Sequence, residues 1–554
     1  MKKNSLFKTL AILLLLVLVA TYFISAGGNE VSFLAFKDGT ASYLGFGDII
    51  INFMQSFYYF FDTIIFVLVV GAFYGVLNKV PIYKTLINSL SSKLKEYGNE
   101  VIVVITILFA LIACFTGIDL PLFIFVPFVV AVILAMGYDK LVAISSTVGG
   151  ILVGGIGGLF VTFRDPNSSY SVAFQTFEGL VGLDSNFSNV VPKIILLVLS
   201  IGLLVFYILK HISRVNDGRV NYDLGEDIEL DDNKKVHDKN KTTTVCLWPL
   251  IVLGGILVKY ITIIIGTLAN IPDTSFWIFN YASLCNVIIL LATVVLIVIF
   301  GKSRKSKGFV ELGIIMTGML LLMIFGLTPW EDLFGTTVFN EIHTAVIENF
   351  TIPSFWIFDE FSLFDNILST NFVAFGKWET TGGFLMTMVM LMGIILLIKL
   401  VYKIKLDDIL DGCIDGAKKM LPSALFIALA YTILVCSSGD SRFIQTLITA
   451  SGTNKVLQFL VIIVGSILNV DSYYSVAFVF NPILEVVTDY GNVMALAFQS
   501  LRGLVQLLAP TSLLLIVGLT YFSVPYKTWA KYIWKLVVVL FIIIFAILWI
   551  MRLL

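Results

Sequence analysis

Charged residues are scarce in this sequence. Asp, Glu, Lys and Arg make up 13% of its 554 residues, and the net charge at pH 7 is −1. A nucleic-acid partner needs Lys and Arg clustered on one face, so this balance excludes one. Histidine and cysteine are also few, at 3 and 5 residues. Their spacing supplies neither a metal-binding cluster nor a nucleophile with a histidine base, which predicts no enzyme and no bound cofactor.

Apolar residues take the place of the missing charge. Hydrophobic residues are 58% of the chain, and the mean hydropathy is +0.97. Apolar runs of the roughly 20 residues that a helix needs to cross a bilayer recur from end to end. The sequence therefore predicts an all-α polytopic membrane protein that contacts the lipid bilayer on most sides.

The apolar runs also predict where the chain crosses the membrane. Residues 7–25 follow Lys2 and Lys3, and we predict an uncleaved first helix there, with a cleaved signal peptide as the alternative. The later candidate spans are 58–79, 100–117, 121–138, 140–163, 189–209, 246–268, 275–300, 310–328, 380–401, 422–439, 454–470, 473–489, 491–523 and 528–551.

The polar connections predict the orientation. Residues 214–241 and the basic cluster at 302–307 are predicted to be cytoplasmic by the positive-inside rule. Residues 326–379 are acidic, with Lys377 as their only Lys or Arg, and should face outward. The three histidines, His211, His237 and His343, are predicted in or beside loops. A histidine proton relay within the membrane is therefore not expected.

The two ends of the chain share an ordered series of short motifs, which indicates an internal repeat; chance similarity among apolar helices is the alternative. The matches lie about 350–360 residues apart: Asp48-Ile-Ile with Asp408-Ile-Leu, Thr85-Leu-Ile with Thr446-Leu-Ile, and Ile118-Asp119 with Val470-Asp471. We expect five segments: 1–47 with the first helix and an external loop, 48–209 (copy one), a cytoplasmic loop at 210–245, intervening helices at 246–407, and 408–554 (copy two).

Parity predicts that the two copies are inverted. Four candidate spans separate them, and each copy crosses the bilayer an odd number of times. Inverted repeats are typical of secondary transporters, whose substrate sites lie near the membrane midplane between broken or re-entrant helices. The fold class we expect is thus an inverted structural repeat that contains such helices.

In copy one, the candidate site residues surround a glycine-rich segment at 149–158. So many glycines weaken a helix and favour either a break or close helix packing. The Asp-Pro-Asn turn that follows would leave polar groups at a half-helix tip, although Arg164 and Asp165 could instead pair at the membrane boundary. The candidates in copy one are Asp119, Arg164, Asp165, Asn167 and Ser168.

In copy two, charged and amide side chains fall within apolar spans, where an ionisable residue usually has a function. Gln499, Arg502 and Gln506 have helical spacing and would share one face. Arg502 could hold a substrate carboxylate or replace a coupling cation beside Asp471. Pro510 would break the helix and free carbonyl groups.

Several motifs resemble a known family. They are Asp411-Gly412-Cys413-Ile414-Asp415-Gly416-Ala417, Phe498-Gln499 followed by Pro510-Thr511-Ser512, and Val524-Pro525-Tyr526-Lys527-Thr528-Trp529. They resemble the DcuC/YfcC-type carriers, the C4-dicarboxylate anaerobic carrier family of the ion-transporter superfamily. The resemblance implies a membrane carrier. Ser472, Ser500 and Thr511, which lie in these segments or beside them, complete the candidate substrate-binding residues. The family pattern has an acidic residue and an asparagine where this chain has Arg502 and Gln506.

The functional hypothesis is a secondary active transporter that works by alternating access in the plasma membrane. Its substrate would be a small charged organic solute, either a dicarboxylate or an amino acid, and arginine/ornithine exchange is one form that the resemblance suggests. Coupling to Na⁺ or H⁺ stays open, and so does a homodimer. The alternatives are an ion channel and a non-transporting membrane scaffold.

Overall fold

The structure is a computed structural model in which part of the chain is described. The described residues are 5–27, 31–116, 119–158, 160–164, 172–176, 189–218, 337–349, 351–352, 361–362, 374–375, 377, 385–440, 442–469, 472–486 and 491–553. The candidate spans predicted at 246–268, 275–300 and 310–328 lie outside this part of the chain.

Helices make up most of the described chain. They are α1 (Ser5–Phe23), α2 (Ala35–Asp38), α3 (Phe46–Tyr59), α4 (Phe61–Lys79), α5 (Pro81–Leu94), α6 (Asn99–Thr116), α7 (Val126–Ala135), α8 (Lys140–Ser146), α9 (Val148–Gly154), α10 (Val190–Asn216), α11 (Val338–Asn349), α12 (Leu385–Tyr402), α13 (Leu406–Leu434), α14 (Phe443–Ser451), α15 (Lys455–Leu468), α16 (Ser472–Ser475), α17 (Asn481–Val486), α18 (Gly491–Gln506), α19 (Leu513–Tyr521) and α20 (Tyr526–Leu553).

Short 3₁₀- and π-helical turns and four short strands complete the described elements. The 3₁₀ turns are Lys95–Tyr97 and Leu120–Ile124, and the π turns are Val435–Asp440 and Val476–Phe480. The strands pair two by two: β1 (Phe160–Arg164) with β2 (Val172–Thr176), and β3 (Thr351–Ile352) antiparallel to β4 (Phe361–Ser362).

The chain divides into two compact units. The first contains Met1–Phe163, Phe174–Thr242 and Lys405–Leu554, and the second contains Arg164–Ala173 and Thr243–Ile404. In the second unit, the described elements are α11, α12 and the β3–β4 pair. Apart from Arg164, Val172 and Ala173, the described parts of both predicted copies lie in the first unit.

Several helices of the first unit are long and apolar enough to cross a membrane. Within the described residues these are Ser5–Phe23, Phe61–Lys79, Val190–Asn216, Leu406–Asp440 and Tyr526–Met551. A further pair, Ile82–Tyr97 and Asn99–Cys114, meets at a 107° bend and is a broken span or a re-entrant loop. The prediction of an all-α polytopic membrane protein with broken helices is therefore confirmed.

Other helices end earlier than the sequence predicted. The span expected at 140–163 is an apolar helix that stops at Gly154 and is followed by β1. The span expected at 491–523 is divided into α18 and α19, because Pro510 lacks the amide hydrogen that a continuous helix needs. By contrast, the prediction for His211 is wrong: it lies inside α10 and is only 5% exposed.

The helices α4 and α13 cross in opposite directions through glycines. Gly71 faces Gly416, while Gly75 faces Gly412. A methyl group added at Gly75 or at Gly416 would overlap a carbonyl oxygen of the facing helix. This close backbone approach is the small-residue packing typical of membrane helices, which have little hydrophobic driving force between them.

The contacts around this crossing occur in symmetric pairs. A contact between one residue of copy one and one of copy two recurs between the residues that lie 360 positions away from each of them. Asn52 of α3 contacts Cys436, and Gly412 contacts Val76; Asn52 and Gly412 are 360 positions apart, as are Val76 and Cys436. In the same way, Ser56 meets Thr432, and Gly416 meets Ala72. Contacts that exchange in this manner are those expected when two repeated segments pack around a twofold axis.

Candidate functional site

The first break in copy two follows α15. Asn469 ends this helix with an extended backbone (φ −102°, ψ 111°), and its side chain is fully buried. The Ser438 hydroxyl donates to Asn469 Oδ1 at 2.9 Å, and the Ser475 hydroxyl donates to the Asn469 carbonyl oxygen at 3.3 Å. Hydrogen bonds from both sides therefore hold the break in one conformation.

The second break, between α18 and α19, packs against the first. The Thr511 hydroxyl donates to the Ile467 carbonyl at 2.6 Å, and Gln506 Nε2 donates to the Ser466 carbonyl at 3.4 Å. The last four backbone carbonyl groups of a helix have no amide donor within that helix. Side chains from the second break supply the donors that the open end of α15 needs.

The glycine-rich segment of copy one also contacts α18. Gln499 Nε2 donates to the Gly158 carbonyl oxygen, four residues after the end of α9. A Cβ added at Gly503 would lie 2.7 Å from the backbone nitrogen of Ile156, so α18 touches this backbone directly. The broken region of copy two is thus joined to the glycine-rich end of copy one.

The predicted residues on α18 are all described. Gln499 and Gln506 are buried; Gln499 donates to copy one, and Gln506 donates to α15. Arg502 lies between them in the sequence and is half-buried. The Ser500 hydroxyl donates to the Leu496 carbonyl at 2.6 Å. The Ser500 hydroxyl proton is therefore hydrogen-bonded within α18.

The remaining predicted residues are placed less completely. Asp119 is exposed, and its Oδ1 accepts from the Leu120 amide at 2.5 Å, which caps a 3₁₀ turn. Arg164 ends β1 and Ser472 begins α16, and only their backbones are described. Asp165, Asn167, Ser168 and Asp471 lie outside the described residues, so a pairing of Asp471 with Arg502 stays a prediction.

Sequence reasoning missed a polar link at the end of α13. Asn52 Nδ2 donates to Asp440 Oδ2 at 2.6 Å and lies 3.4 Å from Cys436 Sγ. Asp440 and Ser438 belong to the same π turn, a type of element that often occurs at functional sites. The clustering of Ser437, Ser438 and Asp440 in an apolar span was the available signal.

The chemistry of the joined breaks is that of amides and hydroxyls. The buried polar atoms without a hydrogen-bond partner among the described residues include Ser466 Oγ, Asn469 Nδ2, Gln499 Oε1 and Ser512 Oγ. No group of three or more His, Cys, Asp or Glu side chains that could hold a metal occurs in the described part of the chain. Such a site can bind a small polar solute through hydrogen bonds.

Comparisons with known proteins identify the family. The family model for the C4-dicarboxylate anaerobic carriers matches residues 4–328 and 337–553, which is nearly the whole chain. No curated protein and no solved structure gives a significant match. The motifs that suggested a carrier are thus confirmed by a match that spans both copies, and the chain belongs to the C4-dicarboxylate anaerobic carrier family.

Proposed function

We propose that this carrier moves a small solute bearing a carboxylate, either a dicarboxylate or an amino acid, by alternating access. The observation that carries the proposal is the meeting of the two broken helices of copy two with the glycine-rich end of copy one. Broken helices at a repeat interface leave backbone and side-chain groups free to bind a substrate.

The two copies would form the halves of the transport unit. We take copy one as 48–209 and copy two as 408–554, in opposite orientations. The antiparallel crossing of α4 with α13 and the symmetric contact pairs around it support this relation. Rocking of one copy against the other would then open the site to each side of the plasma membrane in turn.

Arg502 is the cationic group for the substrate in this proposal. It lies half-buried on α18, between Gln499 and Gln506, which both contact other broken segments. A guanidinium binds a carboxylate through two parallel hydrogen bonds, which fixes orientation as well as charge. A dicarboxylate and an amino acid such as arginine or ornithine both present such a group.

Counter-flow in proteoliposomes tests the proposal. The purified protein is reconstituted with internal unlabelled solute and offered labelled succinate, arginine, ornithine or a neutral amino acid. We expect saturable accumulation of one class, and imposed Na⁺ and proton gradients then identify the coupling ion or pure exchange. Ion passage that does not saturate, without accumulation of any solute, would establish the channel instead.

Two substitutions test the charged residues. Arg502→Ala and Asp471→Asn should abolish uptake while the amount of folded protein stays constant. Lys531→Ala, which removes an exposed cation from α20, is the matched control and should transport normally. Uptake at the wild-type rate in both site variants would remove these residues from the substrate site.

A further inference from the structure

Asn469 presents a hydrogen-bond donor that nothing in the described structure uses. Its side chain is 0% exposed, its Oδ1 accepts from Ser438, and its backbone amide donates to Gly465 at 2.8 Å. Nδ2 has no partner among the described residues. The amide is therefore fixed in orientation, and its NH₂ group points into the protein interior without an acceptor.

A buried donor without an acceptor has lost its hydrogen bonds to water and gained none in return. Native proteins rarely keep such groups, and an exception usually has a functional reason. The hydrogen bond from Ser438 occupies the amide oxygen of Asn469, so only the NH₂ group is available to a ligand. An amide NH₂ group can donate but cannot accept, so its missing partner must be an acceptor.

Two further unpartnered groups lie beside the same helix end. Ser466 precedes Asn469 by one helical turn, and Ser512 follows Thr511, whose hydroxyl donates to the Ile467 carbonyl. Both hydroxyls are buried and lack a partner in the described part of the chain. Hydroxyl groups can donate, so each of these two side chains also keeps a donor that the described structure does not use.

We propose that Asn469 Nδ2 donates a hydrogen bond to a carboxylate oxygen of the transported solute, and that Asn469 thereby selects carboxylates. The inference rests on the proposed function and names the recognition chemistry at that same site. Ser438 is a positioning residue in this scheme, because it acts on the substrate only through the amide oxygen that it holds.

The test uses ligand-induced thermal stabilisation of the purified full-length protein, with succinate, arginine and agmatine as probes. Agmatine is arginine without the carboxylate. We expect stabilisation by succinate or by arginine and none by agmatine. Asn469→Asp keeps the shape but replaces the donor by an acceptor, and should raise the half-saturating concentration about 10- to 100-fold, the effect of losing a hydrogen bond to a charged group.

A second variant separates binding from folding. Asn469→Leu removes the unpartnered donor together with the acceptor of the Ser438 hydroxyl, and these two effects oppose each other, so the Tm without ligand should stay close to that of the wild type while binding is lost. The matched control is Gln458→Leu, in the same helix, whose buried Nε2 donates to the Gly452 carbonyl at 2.6 Å. It should lower the Tm and leave the half-saturating concentration unchanged. Ser438→Ala should weaken binding, and Ser438→Thr, which keeps the hydroxyl, should restore it.

Wild-type half-saturation in Asn469→Asp would overturn the inference, even if Asn469→Leu does not fold. Equal stabilisation by arginine and agmatine would overturn it too, as would no stabilisation of the wild type by any probe. The proposed function fails by a different result, the absence of solute accumulation by the wild type in proteoliposomes. A succinate-dependent Tm shift that Asn469→Asp abolishes would support the inference in either case.

Discussion

The two copies treat their buried polar groups differently. In copy one, Asp139 caps α8 by accepting from the Val142 amide at 2.8 Å, and its other oxygen lies 2.8 Å from Nε2 of His211, which stands two residues beyond that copy in α10. The His211 ring also packs against Tyr532 of α20. In copy two, Asn469 and its neighbours keep polar atoms without a partner among the described residues. The Asp139–His211 contact uses its polar groups internally, while the residues around Asn469 leave several polar atoms without a partner in the described part of the chain.

From this difference we expect the two regions to have different roles. A buried pair such as Asp139 with His211 fixes three helices, α8, α10 and α20, relative to one another. Unused donors stabilise nothing until a ligand arrives, so they contribute to binding rather than folding. Substitutions in copy one should therefore reduce stability, and substitutions around Asn469 should reduce affinity.

The largest expected effect comes from the contact that joins the copies. Gly416→Leu would force a side chain into the backbone of α4, where even a methyl group overlaps the Gly71 carbonyl oxygen. Overpacking of this kind costs about 1–3 kcal/mol or more, and backbone overlap leaves no flexible side chain to move. We expect almost no folded protein by fluorescence-detected size-exclusion chromatography. Gly202→Leu is the control, because its Cβ would meet open space; equal yields of the two variants would contradict the prediction.

Removal of the Asp139–His211 contact should be the next largest effect. His211→Ala leaves one oxygen of Asp139, whose side chain is 17% exposed, without this hydrogen-bond partner, at a cost of about 1–3 kcal/mol in the free energy of unfolding. The Tm should fall, while the half-saturating substrate concentration of the folded fraction stays constant. Asp139→Asn keeps an oxygen for the helix cap and should lower the Tm less. A large change in affinity with normal stability would place this pair in the transport site.

Gln499 connects the two copies, so its substitution should affect both properties. Gln499→Leu leaves the Gly158 carbonyl without this donor, at a cost of about 1–3 kcal/mol in the free energy of unfolding. Because the contact joins copy two to copy one, we also expect a lower transport rate in counter-flow. Thr449→Val is the control, since its exposed hydroxyl bonds only to its own helix, and it should be close to wild type in both measurements.

Much of this comparison could be predicted from local sequence. Pro510 predicted the division of α18 from α19, whereas the glycine-rich segment left a helix break and close helix packing open, and the span expected at 140–163 ends at Gly154. These features depend on the backbone chemistry of a few adjacent residues, which a sequence displays directly. The family motifs lie in the same short segments, and the family match confirmed them.

Contacts between distant positions could not be predicted in this way. Ser438 and Asn469 are separated by a complete helical hairpin, and Asn52 and Asp440 come from different copies. Whether an asparagine donates or accepts depends on the neighbour that tertiary packing brings to it. The sequence indicated Gln499 and Gln506 through helical spacing, but it gave no indication that Asn469 has an unused donor.

The smallest expected effect is at the contact between the two breaks of copy two. Thr511→Val keeps the shape of the side chain and removes the hydroxyl that donates to the Ile467 carbonyl, a loss of about 0.5–1.5 kcal/mol. The Tm should fall slightly, and substrate affinity should fall more than stability, because this bond ties the start of α19 to the broken end of α15 that carries Asn469. Thr449→Val, which removes an exposed hydroxyl bonded within its own helix, should change neither property. If Thr511→Val lowers stability and leaves affinity unchanged, the contact between the breaks is structural. It would then act in folding, as the Asp139–His211 contact does.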